Sequence, residues 1–464
     1  MTRLNYKTVA LLFFVFGTLL RLLLCWSNPP GNAFDNHFKP IFLIMESGTI
    51  PAKDACWQCY HPPVFYWGSA MIGKIAITMG VTFPHLLKVL QFISCFYGIL
   101  TLGMIYLILR KLPLSDFSRL VAFGTLCFLP RHIYMSAMNS NDTISYLFVS
   151  LSIYLLLIAI ERKLSTLILL GASIVISITL FTKYTSYVVL PIILISFGVL
   201  FYKGLIVPRK TVVVSLIVIL FLPITLLSVY LALNLKNYGS PLPWNVKQLD
   251  PSLTQPRDKS RLDFISFKPW ESITTPIIVP GKMHSFWTLV YSGMWFDNEP
   301  KFLYFLDSNQ EWWKHYYAWL RGEKGFPGEN PSMSHLTRLI GSGLPALGLL
   351  PLLLIMFGLY NYVRGSWKIP AETKEMEVVK MSIFPMLLFS NAVGMIALAL
   401  RLPVYSAIKA SYFLNSLPAF AIFLSLGLMP FENNKKLEGP IAIVFGVLFA
   451  LVSLHILHIV QSLI

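Results

Sequence analysis

The sequence predicts an all-α polytopic membrane protein, and three observations predict it. Of the 464 residues, 56% are hydrophobic, and the mean hydropathy is +0.66. Only 12% are charged, where a soluble domain carries about 25%. Apolar runs of about 20 residues, the length that crosses a bilayer, recur along the whole chain. Together these exclude a cytosolic enzyme, a disordered chain, a collagen-like fibre and a Cys-rich secreted scaffold. A net charge of +16 would suggest nucleic acid in a soluble chain. Here the basic residues fall in short connections between apolar runs, so they orient the chain among membrane lipids and imply no nucleic-acid partner.

Taken in order, the spans lie at roughly 8–24, 86–109, 116–130, 143–160, 164–182 and 185–202, then at roughly 211–234, 337–362, 379–400, 408–430 and 439–462. That makes about eleven, in a range of about 10–13. Arg3 and Lys7 before the first run suggest a signal peptide, but no small-residue cleavage site follows, so it reads as a retained helix. Residues 62–80 are apolar yet open with Pro62 and Pro63 and contain Lys74. If they lie along the membrane, Arg110–Lys111, Glu161–Arg162–Lys163, Lys203 with Arg209–Lys210, Arg364 with Lys368, and Lys435–Lys436 all share the N-terminal side. The positive-inside rule prefers that arrangement, which makes 62–80 a juxtamembrane or re-entrant helix. Three parts follow: residues 1–234, including the first outer loop 25–62 and the helix 62–80; a large extracytoplasmic loop, 235–336, long enough for a small subdomain; and C-terminal helices in 337–464.

The polar residues on the outer face carry the chemistry. The first loop reads Asn32-Ala33-Phe34-Asp35-Asn36-His37-Phe38-Lys39-Pro40. Ile41, Ile44 and Met45 then recur at helical spacing, predicting a short interfacial helix with Asp35 just before it. Asp35 there is a helix cap, a functional acid, or both. Asp142, in Asn139-Ser140-Asn141-Asp142-Thr143, precedes a span and has the same two readings. Two carboxylates on one face can hold a divalent cation or divide into a base and an electrostatic partner. Arg131 and His132, Lys183, Arg401 and Lys409 lie on that face too, with Lys409 expected about two turns inside the tenth span. Cations beside carboxylates suit an anionic headgroup, most naturally a phosphate. Snorkelling to the interface is the plainer reading of Lys183, Arg401 and Lys409. Cys56-Trp57-Gln58-Cys59-Tyr60-His61 offers three ligands where a structural zinc site takes four, so a local disulfide or plain packing is expected. Asn141-Asp142-Thr143 is a glycosylation sequon set too close to the membrane for modification. No Gly-Lys phosphate loop, dinucleotide fingerprint or HExxH occurs.

At these residues the sequence resembles the membrane glycosyltransferases of the GT-C superfamily, most nearly the protein O-mannosyltransferase and aminoarabinose-transferase branch. Four segments carry the resemblance: Phe34-Asp35-Asn36-His37, His61-Pro62-Pro63-Val64-Phe65-Tyr66-Trp67, Met138-Asn139-Ser140-Asn141-Asp142-Thr143 and Phe181-Thr182-Lys183-Tyr184. Trp295-Phe296-Asp297-Asn298-Glu299 and Ile408-Lys409-Ala410-Ser411-Tyr412 also look like family material. The resemblance implies a GT-C fold and a polyprenyl- or dolichyl-phosphate-linked sugar as donor. An acceptor hydroxyl on a lipid, glycan or protein would displace the lipid phosphate on the extracytoplasmic face with inversion. Asp35 would be the general base or orient the acceptor. Asp142 would position substrate, or share a divalent cation with Asp35. Lys183, Arg401, Lys409 and Arg131 would neutralise the leaving phosphate, His61 and Tyr66 would line the cavity, and His284 and Asp297 would contribute from the large loop. The protein-mannosylating branch shows Asp-Glu where this chain has Asp35-Asn36, which leaves the acceptor open and points away from a metal. The compact chain, without added lumenal repeats or a retention tail, fits a bacterial inner (plasma) membrane better than the endoplasmic reticulum. A secondary transporter or flippase of a lipid-linked or anionic solute is the competing reading. Pro191, Pro223, Pro345, Pro351, Pro385 and Pro418 would break helices as transporters require, but no matching halves are found.

Overall fold

Capping residues mark where the helices start. Asn5 accepts from the Lys7 N–H at 3.1 Å to open α1, Tyr6–Ser27. Ser115 does the same for α5, Asp116–Cys127, and Ser334 for α15, His335–Val363. Between these lie α2 (Phe38–Ser47), α3 (Val64–Thr78), α4 (Phe83–Leu109), α6 (Pro130–Ser136), α7 (Asp142–Glu161), α8 (Thr166–Leu180), α9 (Val189–Lys203) and α10 (Arg209–Tyr238). The large loop holds α11 (Pro269–Thr274), α12 (Phe286–Trp295), α13 (Leu303–Leu306) and α14 (Gln310–Leu320). After α15 come α16 (Lys374–Arg401), α17 (Leu417–Glu432) and α18 (Lys435–Leu463), with 3-10 turns at Tyr184–Val188 and Ala410–Ser416. The computed structural model describes residues 5–204, 206–244, 264–279, 285–306, 310–320, 323–328, 333–365, 374–402, 408–432 and 434–464.

Among the described residues, nine helical segments are long and apolar enough to cross a membrane. The two other expected spans, 116–130 and 164–182, are helices of 12 and 15 residues. The expected helix breaks are absent. Pro223, Pro345, Pro351 and Pro385 lie inside continuous helices. Pro191 and Pro418 sit in the first turns of α9 and α17, where a missing N–H costs no intrahelical bond.

Contacts sort the helix ends into two groups. At one end Lys111 pairs with Glu161 at 2.8 Å, Lys380 bridges Glu161 and Glu377, and Ser115 bonds Glu432. This gathers the loop after α4 and the ends of α7, α16 and α17 on one side, as the charge pattern predicts. At the other end the Lys88 ammonium donates to the carbonyls of Cys25, Trp26 and Asn28 at 3.0, 3.0 and 2.7 Å. Helix α4 therefore begins where α1 finishes, and the intervening segment makes no net crossing. Helix α3, at about 1.5 Å per residue, is shorter than the roughly 30 Å hydrocarbon core. It packs with α2 through Ile41, Ile44, Phe65, Tyr66 and Ala70. Trp26, Trp57, Trp67 and Trp270, in the last turn of α1, the first loop, α3 and the large loop, are exposed, as the residues of an interfacial aromatic belt are.

The helices of the large loop rest on the bundle. Trp312, Trp313, Tyr316, Trp319 and Phe326 cluster to give the loop its own small core. Tyr316 ties that core inward by donating to the Ile278 carbonyl at 2.7 Å. Deeper in the bundle α15 and α17 cross at Gly358 and Gly427. A Cβ at either would fall under 2 Å from the partner's carbonyl oxygen, of Phe423 or Leu354 respectively.

Candidate active site

Four chain segments deliver the polar groups to the end where α1 finishes and α4 begins. The first loop is braced by Asn28, whose amide donates to the Ala137 carbonyl at 2.7 Å, and by Asn32, which donates to Asn28 at 2.7 Å. This aims Asp35 at Lys409, 3.0 Å away. The turn before α7 is held by Ser94, which bonds both the N–H and the carbonyl of Ser140. Ser140 donates to Asp142 at 2.8 Å, and Lys183 approaches the same carboxylate to 2.6 Å. Phe34, Asp35, His37, Met135, Met138, Ser140, Asp142, Lys409 and Ser411 line one recess.

Neither carboxylate is a cap, because no side-chain cap bond closes either α2 or α7. Asn36 accepts from the Lys39 N–H instead. Lys183 and Lys409 do not snorkel, since both are buried in ion pairs. Lys409 is not two turns inside a helix: it stands in extended backbone ahead of the 3-10 turn 410–416, and α17 begins only at Leu417. Burial alone would push the Asp35 carboxyl up. The Lys409 ammonium overrides this, with His37 and Lys183 assisting, and holds it well below the usual carboxylate range. Burial would likewise push Lys409 down, and the charges of Asp35 and Glu299 carry it above the ordinary lysine value. Both groups stay charged at neutral pH.

The remaining expected site residues divide. Tyr66 and His61 do not line the recess themselves but contact His37, which does: the Tyr66 hydroxyl and His37 Nδ1 share a 2.9 Å hydrogen bond, and the His61 ring lies 6.3 Å from that of His37. Arg131 stands behind the recess, donating to Gly293 and Asn298 of the large loop at 2.6 and 3.0 Å and covering the Phe34 ring. One oxygen of Asp297 accepts from the N–H groups of Phe302 and Leu303. Arg401 is exposed at the end of α16 against the Trp244 ring, apart from the Asp35–Lys409 pair. His284 lies outside the described residues. Cys56 and Cys59 form a disulfide. Asn141 and Thr143 are fully buried, so the sequon is closed to modification.

Sequence reasoning missed His37, Glu299 and Lys301. Glu299 is buried with one oxygen unpaired, and its charge acts on Lys409. Lys301 and Lys409 both lie over the Phe34 ring, at 5.9 and 5.0 Å. A signal for His37 was present two residues after Asp35. Glu299 closes the family-like segment 295–299, where Asp297 was the acid chosen, and nothing in the mixed charge of the loop marks Lys301.

The donor set does not fit a divalent cation held by Asp35 and Asp142. Each carboxylate already faces a lysine, and no group of three acidic, histidine or cysteine side chains suited to a metal occurs among the described residues. The arrangement can instead take an anion. An ammonium has three donors, so each lysine can turn to a phosphate while keeping its carboxylate.

Comparison with known proteins decides the fold. Residues 60–228 match the family described as dolichyl-phosphate-mannose-protein mannosyltransferase. The apo oligosaccharyltransferase of Archaeoglobus fulgidus superposes over 99% of this chain with a TM-score of 0.54 and 14% identity. The fold is that of this oligosaccharyltransferase. A second structure from the same organism, the oligosaccharyltransferase AglB with an inhibitory peptide and a dolichol-phosphate, matches over 98% of this chain at TM-score 0.51 and 14% identity. The chain spans about half the length of these relatives, 56% and 55% respectively. A sequence search of curated proteins finds no match.

Proposed function

We propose that this chain is a GT-C glycosyltransferase that moves a sugar from a polyprenyl- or dolichyl-phosphate donor to an acceptor hydroxyl. The observation that carries the reading is the convergence of two carboxylate–lysine pairs, Asp35–Lys409 and Asp142–Lys183, on one recess. An alcohol is a poor nucleophile until its proton has an acceptor. Asp35 receives the hydroxyl's hydrogen bond as the base. The oxygen attacks the anomeric carbon from the face opposite the phosphate, giving inversion. Lys409 and Lys183 stabilise the charge that gathers on the leaving lipid phosphate. Asp142 positions the sugar, while His61 and Tyr66 shape the wall through His37. Arg131 acts from behind by fixing the large loop. The active site faces the extracytoplasmic side.

The test is turnover of a labelled panel of polyprenyl-phosphate sugars by purified protein in nanodiscs, with acceptor candidates and with water. One donor should be consumed, Asp35→Asn should lower kcat by about 10²–10⁴-fold, and a chelator should leave the wild-type rate unchanged. Binding of donors without turnover of any would overturn the reading in favour of transport. A rate abolished by chelator would show that the lysines do not replace a metal.

A further inference from the structure

We propose that the proton removed from the acceptor comes to rest on His37, with Asp35 passing it on and His37 Nε2 holding it until product leaves. This rests on the glycosyl-transfer reading above.

The geometry puts His37 in the recess with Asp35 and Asp142, two residues along the same loop and joined to Asp35 by a backbone hydrogen bond of 3.1 Å. Its Nδ1 is taken by the Tyr66 hydroxyl at 2.9 Å. With Nδ1–H donating to the tyrosine oxygen, Nε2 keeps the free lone pair of a side chain that lines the recess. Asp35 is a poor place for a proton to stay, because Lys409 at 3.0 Å favours its ionised form. An imidazole on the same wall is the better store.

The charges around His37 change during the reaction. It faces Asp35 in its own loop, Asp142 at the start of α7, Lys183 after α8, Lys409 before α17, His61 at the end of the first loop and Tyr66 of α3. Burial first, then Lys183 and Lys409, hold His37 down at about 4 against the pull of Asp35 and Asp142. A lipid phosphate leaving onto those lysines cancels their charge, so His37 becomes more basic as the phosphate forms. Atoms balance: the acceptor O–H breaks, its oxygen bonds the anomeric carbon, and the carbon–phosphate-oxygen bond breaks with its electrons on phosphate. The proton moves from Asp35 to His37 and then to the departing phosphate or to water.

The experiment uses the donor that wild type consumes, with water as acceptor, and compares wild type, His37→Gln and His37→Ala in nanodiscs. His37→Gln should lower kcat by about 10²–10⁴-fold with donor KM unchanged. The wild-type rate should fall as acid protonates His37, and that limb should be missing in His37→Gln. Imidazole added to His37→Ala should restore turnover, whereas added to Asp35→Ala it should not. Retained kcat in His37→Gln, or no imidazole rescue of a His37→Ala protein that still binds donor, overturns the proposal. A wild type that turns over no donor overturns the glycosyl-transfer reading and this step with it.

Discussion

Lys183 and Asp142 are both almost wholly buried, with 6% and 7% of their side chains exposed. A charge at that depth is tolerated only while its partner is present. Lys183→Met should therefore destabilise the protein by about 3–5 kcal/mol, read as a lower melting temperature in detergent. The double variant Lys183→Met/Asp142→Asn should recover most of that loss, since it removes the orphaned charge, but should not recover turnover. Recovery of both would make the pair a packing device. At this scale the sequence was legible where an acid or a lysine interrupts an apolar run, which is how Asp35, Asp142, Lys183 and Lys409 stand out. It was not legible where polarity is ordinary. Asp297 and Glu299 are two residues apart in one loop, and only folding shows that Asp297 serves backbone N–H groups while Glu299 faces Lys409.

Among elements, the contact of α15 with α17 is the least forgiving. Each glycine there admits the other helix's backbone, and a Cβ at Gly358 would meet the Phe423 oxygen at 1.8 Å. No rotamer relieves such a clash, because the obstacle is main chain. Gly358→Ala should cost at least about 1–3 kcal/mol and lower the yield of monodisperse protein, while Gly103→Ala on α4, where nothing lies within 4 Å, should not. A Gly358→Ala protein with wild-type melting behaviour would mean that the two helices separate freely. Hydropathy located the nine described segments long and apolar enough to cross a membrane, because burial in lipid demands long apolar runs. It misplaced the start of α17, since the buried 3-10 turn 410–416 runs directly into the helix that follows it. It also over-read the prolines, which remain inside helices when neighbours satisfy the freed carbonyls.

Across the whole molecule, the segment matching the mannosyltransferase family ends at residue 228, yet the recess depends on what comes later. Asp35 meets a lysine 374 residues away in sequence, and Arg131 grips a loop 162 residues on. A chain entering the membrane from its N-terminus would have its acid in place long before the cation that tames it. If Asp35 is the base of the transfer proposed above, synthesis itself acts as a safety catch, because the acid of a half-made copy still lacks its lysine. Two polypeptides divided within the large loop and produced in one cell should reassemble and regain turnover, while either alone should show none. Activity from the N-terminal piece alone would mean that Lys409 is dispensable.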